Sequence, residues 1–75
     1  MRPILIHEYE FRGRTRSYLL VHEADQSVTV WDRETGANLG NYQWDGKELT
    51  GAGEVPQVRM PAVSELAEKW FRAPE

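Results

Sequence analysis

The sequence predicts an α+β fold: a four- to five-stranded antiparallel β-meander with one C-terminal α-helix packed on one face. Three observations carry this. Segments rich in β-branched and aromatic residues follow one another from Ile4 to Thr50. The separators between them hold the short polar and glycine residues that make tight turns. One amphipathic stripe of helical period then occupies the C-terminal part.

Ile4–Phe11 reads as the first strand and Arg14–His22 as its partner. Arg12-Gly13 joins them, with Gly13 tolerating the positive φ of a two-residue hairpin turn. That register sets Phe11 opposite Arg14, Tyr9 opposite Arg16 and His7 opposite Tyr18. Ala24-Asp25-Gln26 is the next turn, where the Asp25 side chain can bond its own backbone. Ser27–Asp32 alternates, with Val28 and Val30 facing one way and Thr29 and Trp31 the other. Asp32 to Gly36 has the chemistry of a type I turn followed by a glycine bulge. Leu39–Trp44 returns as a fourth strand, Asp45-Gly46 signals another hairpin, and Lys47–Thr50 forms a short fifth strand.

Gly51–Met60 reads as a linker, since Gly51, Gly53 and Pro56 discourage regular structure. The helix spans 61–72. Pro61 suits its first position, and Val63, Leu66, Ala67, Trp70 and Phe71 recur at i, i+3, i+4, i+7 and i+8. Glu65, Glu68, Lys69 and Arg72 take the other side, and Pro74 stops the helix. The expected core is Ile4 or Leu5, with Leu19, Val21, Val28, Val30, Leu39, Leu66, Trp70 and Phe71.

The chain has 75 residues. That is one domain, 1–75, too small for a deep cleft between domains. It has no cysteine, so no disulfide offsets the thin core, which fits a reducing, cytoplasmic setting. Ile4-Leu5-Ile6 is the longest apolar run near the N-terminus, too short for a signal peptide or a membrane span. The net charge of −3 is unevenly spread. In residues 1–18 four arginines face two glutamates, giving +2, whereas residues 19–75 hold five basic and ten acidic side chains, giving −5. The reading is one basic edge on an acidic surface.

The stretch VWDRETGANLG resembles the Trp-Asp, Thr-Gly hairpin of propeller blades. The likeness covers one turn. A propeller repeats a unit of about 40 residues, no such repeat is present, and no function follows from it.

Catalysis needs a nucleophile or acid beside a base in a water-excluding pocket. Ser17, Ser27 and Ser64 lie in no nucleophile-elbow context, and no carboxylate pair stands out. His7 and His22 show no metal-ligand spacing, and Gly51-Ala52-Gly53 lacks the Lys-Ser/Thr of a phosphate loop. No catalytic residue, cofactor, metal or small-molecule substrate is expected.

Two surfaces remain. If Val28 and Val30 face the helix, Trp31 lies on the uncovered sheet face, and with Tyr42 and Trp44 it offers aromatic anchors to a protein partner. The leading expectation is therefore a small non-catalytic protein-binding module, an adaptor or inhibitor of bacterial or phage type, or a homodimer formed through an edge strand or the outer sheet face. The alternative is a nucleic-acid-binding domain using Arg12, Arg14 and Arg16 with Tyr9, Tyr18 and Phe11, since arginines beside aromatic rings pair phosphates and stack bases.

Overall fold

The computed structural model describes residues 2–24 and 26–72. Along the chain run β1 (Ile4–Phe11), β2 (Arg14–His22), β3 (Ser27–Asp32), β4 (Asn38–Trp44), β5 (Leu49–Thr50), a 3-10 turn at Gln57–Arg59, and α1 (Met60–Phe71). The strands form one antiparallel sheet in sequence order, a five-stranded meander. The helix lies across one face, called inner below. Among the described residues no helix is long and apolar enough to cross a membrane. Asp25 and Pro74, assigned above to a turn and a helix stop, lie outside the described residues.

The turns form as their residues dictate. Arg12 and Gly13 both take positive φ, 52° and 77°, which gives the twist that a two-residue hairpin needs. The β1–β2 register is the expected one, with Phe11 opposite Arg14, Tyr9 opposite Arg16 and His7 opposite Tyr18. At the β3–β4 turn, the Asp32 carboxylate accepts the N–H groups of Glu34 at 2.8 Å and Thr35 at 3.3 Å. Gly36 N–H then donates to the Asp32 carbonyl at 2.8 Å, with Gly36 at φ 78°. Asp45 repeats the device at the next turn, accepting from Lys47 at 2.8 Å and Glu48 at 2.9 Å. Those backbone N–H groups, Glu48's first, hold its carboxyl below the usual range.

The helix starts at Met60 and ends at Phe71, one residue earlier at each end than expected, and Pro61 sits in its first turn, where no N–H partner is required. Strand β5 is the two residues Leu49–Thr50, shorter than the expected 47–50.

Two expectations about packing need correction. The first concerns β2. Tyr18 and Leu20 are buried, whereas Leu19 and Val21 are half-buried on the outer face. Tyr-Leu-Leu-Val is apolar at both parities, so hydrophobicity alone selects neither face. The neighbours decide: Leu20 stands opposite Leu5 and Val30, and β3 can bury only the Val28/Val30 side under the helix. The choice at β1 follows, with Leu5 packed against the core and Ile4 55% exposed.

The second concerns Gly51–Met60. This segment is no bare linker: Val55 is buried and Met60 packs against the core. The anchor is Tyr42, whose hydroxyl accepts the Val55 N–H at 3.1 Å and donates to the Leu39 carbonyl at 3.4 Å. Gly53 fits against that ring because it has no side chain; a Cβ there would collide with the Tyr42 hydroxyl and sit 2.6 Å from the Leu39 carbonyl oxygen.

The core is thus Val28, Val30, Leu20, Tyr18, Tyr42 and Trp44 from the sheet, joined by Leu49, Val55, Val63 and Ala67. Leu39, Leu66, Trp70 and Phe71 close its rim, half-buried as helix-stripe and edge residues should be. Trp44 stacks on Phe71 with ring centroids 5.0 Å apart, and His22 stacks on Trp70 at 5.1 Å. Ser64 fastens the helix to β5 by accepting the buried Leu49 N–H at 3.0 Å.

Candidate functional site

The anchors expected on one face divide between two. Tyr42 and Trp44 are 2% and 7% exposed and belong to the core, so neither meets a partner in this fold. Trp31 stands on the outer face. A bulge separates them: Val30 pairs with Gly40, but Trp31 pairs with Asn38, leaving Leu39 as the extra residue. Trp31 and Trp44 therefore do not point together, and the pairing of Trp31 with Tyr42 in one site is overturned.

What surrounds Trp31 is aliphatic. Cross-strand neighbours share a face, and the register runs Ile6, Leu19, Trp31 across three strands, beside a second row of Ile4, Val21 and Thr29. The helix covers the opposite face, and among the described residues no second element packs over this row. Ile4 and Ile6 are 55% and 43% exposed, Leu19, Val21 and Trp31 are half-buried, and Thr29 at the centre of the sheet is buried. Glu8 and Glu10 continue β1 on the same face, opposite Ser17 and Thr15, and Arg33 reaches Ser17 Oγ at 3.4 Å. The arrangement is a contiguous apolar strip with an acidic end. Leu19, Val21, Ile4 and Ile6 were not expected in a site; the β2 register, had it been known, would have placed them beside Trp31.

The second surface lies at the hairpin end of the inner face, beyond the reach of α1. Tyr9, Phe11, Arg16, Tyr18, Pro56, Val58 and Arg59 line an open groove of about 270 Å³. The alternation of β1 puts Tyr9 and Phe11 on this face, and pairing brings Arg14 and Arg16 beside them. Tyr9 and Tyr18 pack with centroids 4.8 Å apart. Burial, and then hydrogen bonding with Tyr9, raise the Tyr18 hydroxyl well above its usual pKa.

The arginines differ in state. Arg16 is engaged: it meets Asp32 at 3.3 Å and Glu34 at 3.0 Å, with only 27% of its side chain exposed. Arg12 and Arg14 are exposed at the hairpin tip, Arg12 lying 5.2 Å from the Phe11 ring centroid. Arg59 comes from the segment read as a linker. Its guanidinium lies 4.1 Å from the Tyr9 ring centroid, and one of its nitrogens donates to the Glu10 carbonyl at 3.3 Å. Arg59, with Val58 at 82% exposed beside it, was missed because its approach to Tyr9 spans fifty positions of sequence and leaves no local pattern.

His7 and His22 go to different clusters. His22 packs on Trp70 and Phe71, whereas His7 lies against Tyr9 and Tyr18, with Leu66, Glu65 and Lys69 of the helix around it. His7 Nε2 is buried without a hydrogen-bond partner, and desolvation, aided by the Arg59 charge, lowers the ring's pKa below its usual 6.5. Among the described residues no three His, Asp or Glu side chains group as a metal site.

The chain matches no protein-family model, and no match is found among curated proteins or solved structures.

Proposed function

We propose that this chain is a non-catalytic protein-binding module that acts through the outer sheet face, with Trp31 as its central anchor. The observation that carries the reading is the uncovered row Ile6–Leu19–Trp31, flanked by Ile4 and Val21, on a chain whose helix is already spent on the opposite face. Large aromatic side chains ringed by aliphatic ones are where binding energy concentrates in protein interfaces. Exposed apolar patches of this kind on a small charged domain mark contact sites. Glu8 and Glu10 at one end of the strip favour a partner with an apolar centre and a basic rim, since charge complementarity steers association and fixes orientation.

The test measures the mass of the purified chain by light scattering, then its capture of partner from a lysate, for wild type, Trp31→Ser and Ile6→Asp. Circular dichroism checks that each variant is folded. A monomeric wild type that captures a partner lost to both variants supports the reading. Removal of a hot-spot tryptophan costs about 2 kcal/mol or more, roughly thirtyfold in Kd. A wild-type dimer that Ile6→Asp dissociates identifies the partner as a second copy. Capture and mass unchanged by either variant refute the outer face as the binding surface.

A further inference from the structure

We propose that the open hairpin end of the inner face is a second binding site, for single-stranded nucleic acid, built from Phe11, Arg12, Arg14 and Arg59 around the Tyr9–Tyr18 ring pair. This surface is separate from the outer face and does not depend on the protein-binding reading.

Charge selects an anion. Around the groove stand four guanidinium groups, of Arg12, Arg14, Arg16 and Arg59, against the two carboxylates of Asp32 and Glu34. Arg16 is shared by both carboxylates. Among the described residues Arg12, Arg14 and Arg59 lie within 4 Å of no carboxylate. On a chain of net charge −3 this is a local excess of positive charge, on one end of one face.

Shape and ring chemistry select a nucleic acid over an acidic peptide. The groove is a partly open depression walled mainly by rings and apolar side chains. Phe11 is 45% exposed and presents a planar surface for an unpaired base. Arg59, its guanidinium 4.1 Å from the Tyr9 ring centroid, is held there by one hydrogen bond to the Glu10 carbonyl, which leaves its other N–H donors for a phosphate. An acidic peptide docks on an arginine cluster through its carboxylates alone and brings no planar base to the exposed Phe11 ring. A single strand of nucleic acid uses cations for its phosphates and a flat face for a base. Arg12, Arg14 and Arg59 supply the first and Phe11 the second.

The experiment is fluorescence anisotropy of the full chain with a labelled twelve-nucleotide oligo-dT and, in parallel, a labelled oligo-glutamate peptide. Three phosphate contacts on a single strand give a slope of about −2 for log K against log salt, or roughly twentyfold weaker binding between about 50 and 200 mM salt. Single Arg14→Gln and Arg59→Gln substitutions each weaken oligo-dT binding and make the slope shallower by about 0.7. Phe11→Ala weakens it about tenfold and leaves the slope unchanged, because stacking releases no counterions. Arg33→Gln, which removes the same charge from the outer face, leaves binding as in wild type. The proposal is overturned if oligo-dT fails to bind at about 50 mM salt. It is overturned equally if Arg33→Gln weakens binding as much as Arg59→Gln, which would mean bulk attraction, or if oligo-glutamate binds as tightly as oligo-dT, which would make the groove a site for acidic peptides.

Discussion

Tyr42→Phe isolates the hydroxyl that ties the Gly51–Met60 segment to the sheet. The ring is 2% exposed and its packing is unchanged by the substitution, so the experiment reads the oxygen alone. That oxygen accepts the Val55 N–H at 3.1 Å and donates to the Leu39 carbonyl at 3.4 Å. The two bonds are unequal. The Leu39 carbonyl keeps a second donor, the Glu54 N–H at 2.7 Å, so it stays satisfied. The Val55 N–H has no substitute, and Val55 is itself buried. A buried donor left without a partner costs about 1–3 kcal/mol. The whole domain holds about 4–11 kcal/mol at typical per-residue values, so a loss near the middle of that range is a large fraction. A domain of this size loses about 4–8 °C of Tm per kcal/mol, so about 2 kcal/mol lowers Tm by roughly 8–16 °C. Thermal and urea unfolding, followed by circular dichroism, measure it. Gly53→Ala provides the cross-check. Its added Cβ meets the Tyr42 hydroxyl and, 2.6 Å away, the Leu39 carbonyl oxygen, which is backbone and cannot swing aside. Combining it with Tyr42→Phe removes the hydroxyl but leaves the ring Cζ and the Leu39 carbonyl oxygen against the new Cβ, so the double variant stays less stable than Tyr42→Phe. A Tm change under about 2 °C for Tyr42→Phe would refute the claim that this hydroxyl holds the segment.

Ser64→Ala removes the acceptor of the buried Leu49 N–H at 3.0 Å, offset in part by alanine's better helix propensity; the expected loss is about 1–2 kcal/mol, with faster amide exchange at Leu49 than at Val28 as the local signature. Equal exchange at both amides would show that Ser64 does not fasten the helix to β5. For His7 the sign follows from its lowered pKa: between its usual 6.5 and the folded value, the unfolded chain binds the proton and the folded chain does not. Stability contributed by neutral His7 is therefore complete above about pH 7 and falls as the pH drops below 6.5 towards the folded pKa. His7→Phe flattens the Tm–pH curve in that window, and an unchanged curve would mean that the ring accepts its proton in place, with Glu65 beside it offsetting Arg59 and Lys69.

The fold was legible where a pattern was local. Asp32 and Asp45 accept successive backbone N–H groups within three residues of themselves, and Arg12-Gly13 takes positive φ, so each turn is written in the residues that make it. The helix stripe is equally local, and its bounds moved by one residue at each end. Sidedness was legible only where one parity was polar. Val28 and Val30 alternate with Thr29 and Trp31, and that alternation alone gives the buried side; Tyr18 to Val21 are apolar throughout, and there the register across to Val30 decides. The candidate sites depended on this non-local information most of all. One extra residue, Leu39, at the β3–β4 bulge separates Trp31 from Trp44, and a contact between Arg59 and Tyr9 rebuilds the basic surface.

The same register therefore sorts the aromatic surplus into three roles. On the inner face under the helix, Tyr42 and Trp44 are core because β4 brings them against Val28, Leu49 and Phe71. On that same face past the helix, Phe11 is left open because α1 begins only at Met60, while Tyr9 is covered by Arg59 and packs against Tyr18. On the outer face Trp31 is half-buried, and no second layer covers it among the described residues. Phe11 is thus exposed because the twelve-residue helix does not reach the hairpin end of the inner face, whereas Trp31, half-buried, lies on the face opposite that helix. Extending cover over one surface need not silence the other. Because the two lie on opposite faces of β1 and β2, substitutions in the Ile6–Leu19–Trp31 row should leave oligo-dT binding at the Phe11–Arg59 groove intact, and the reverse should hold as well.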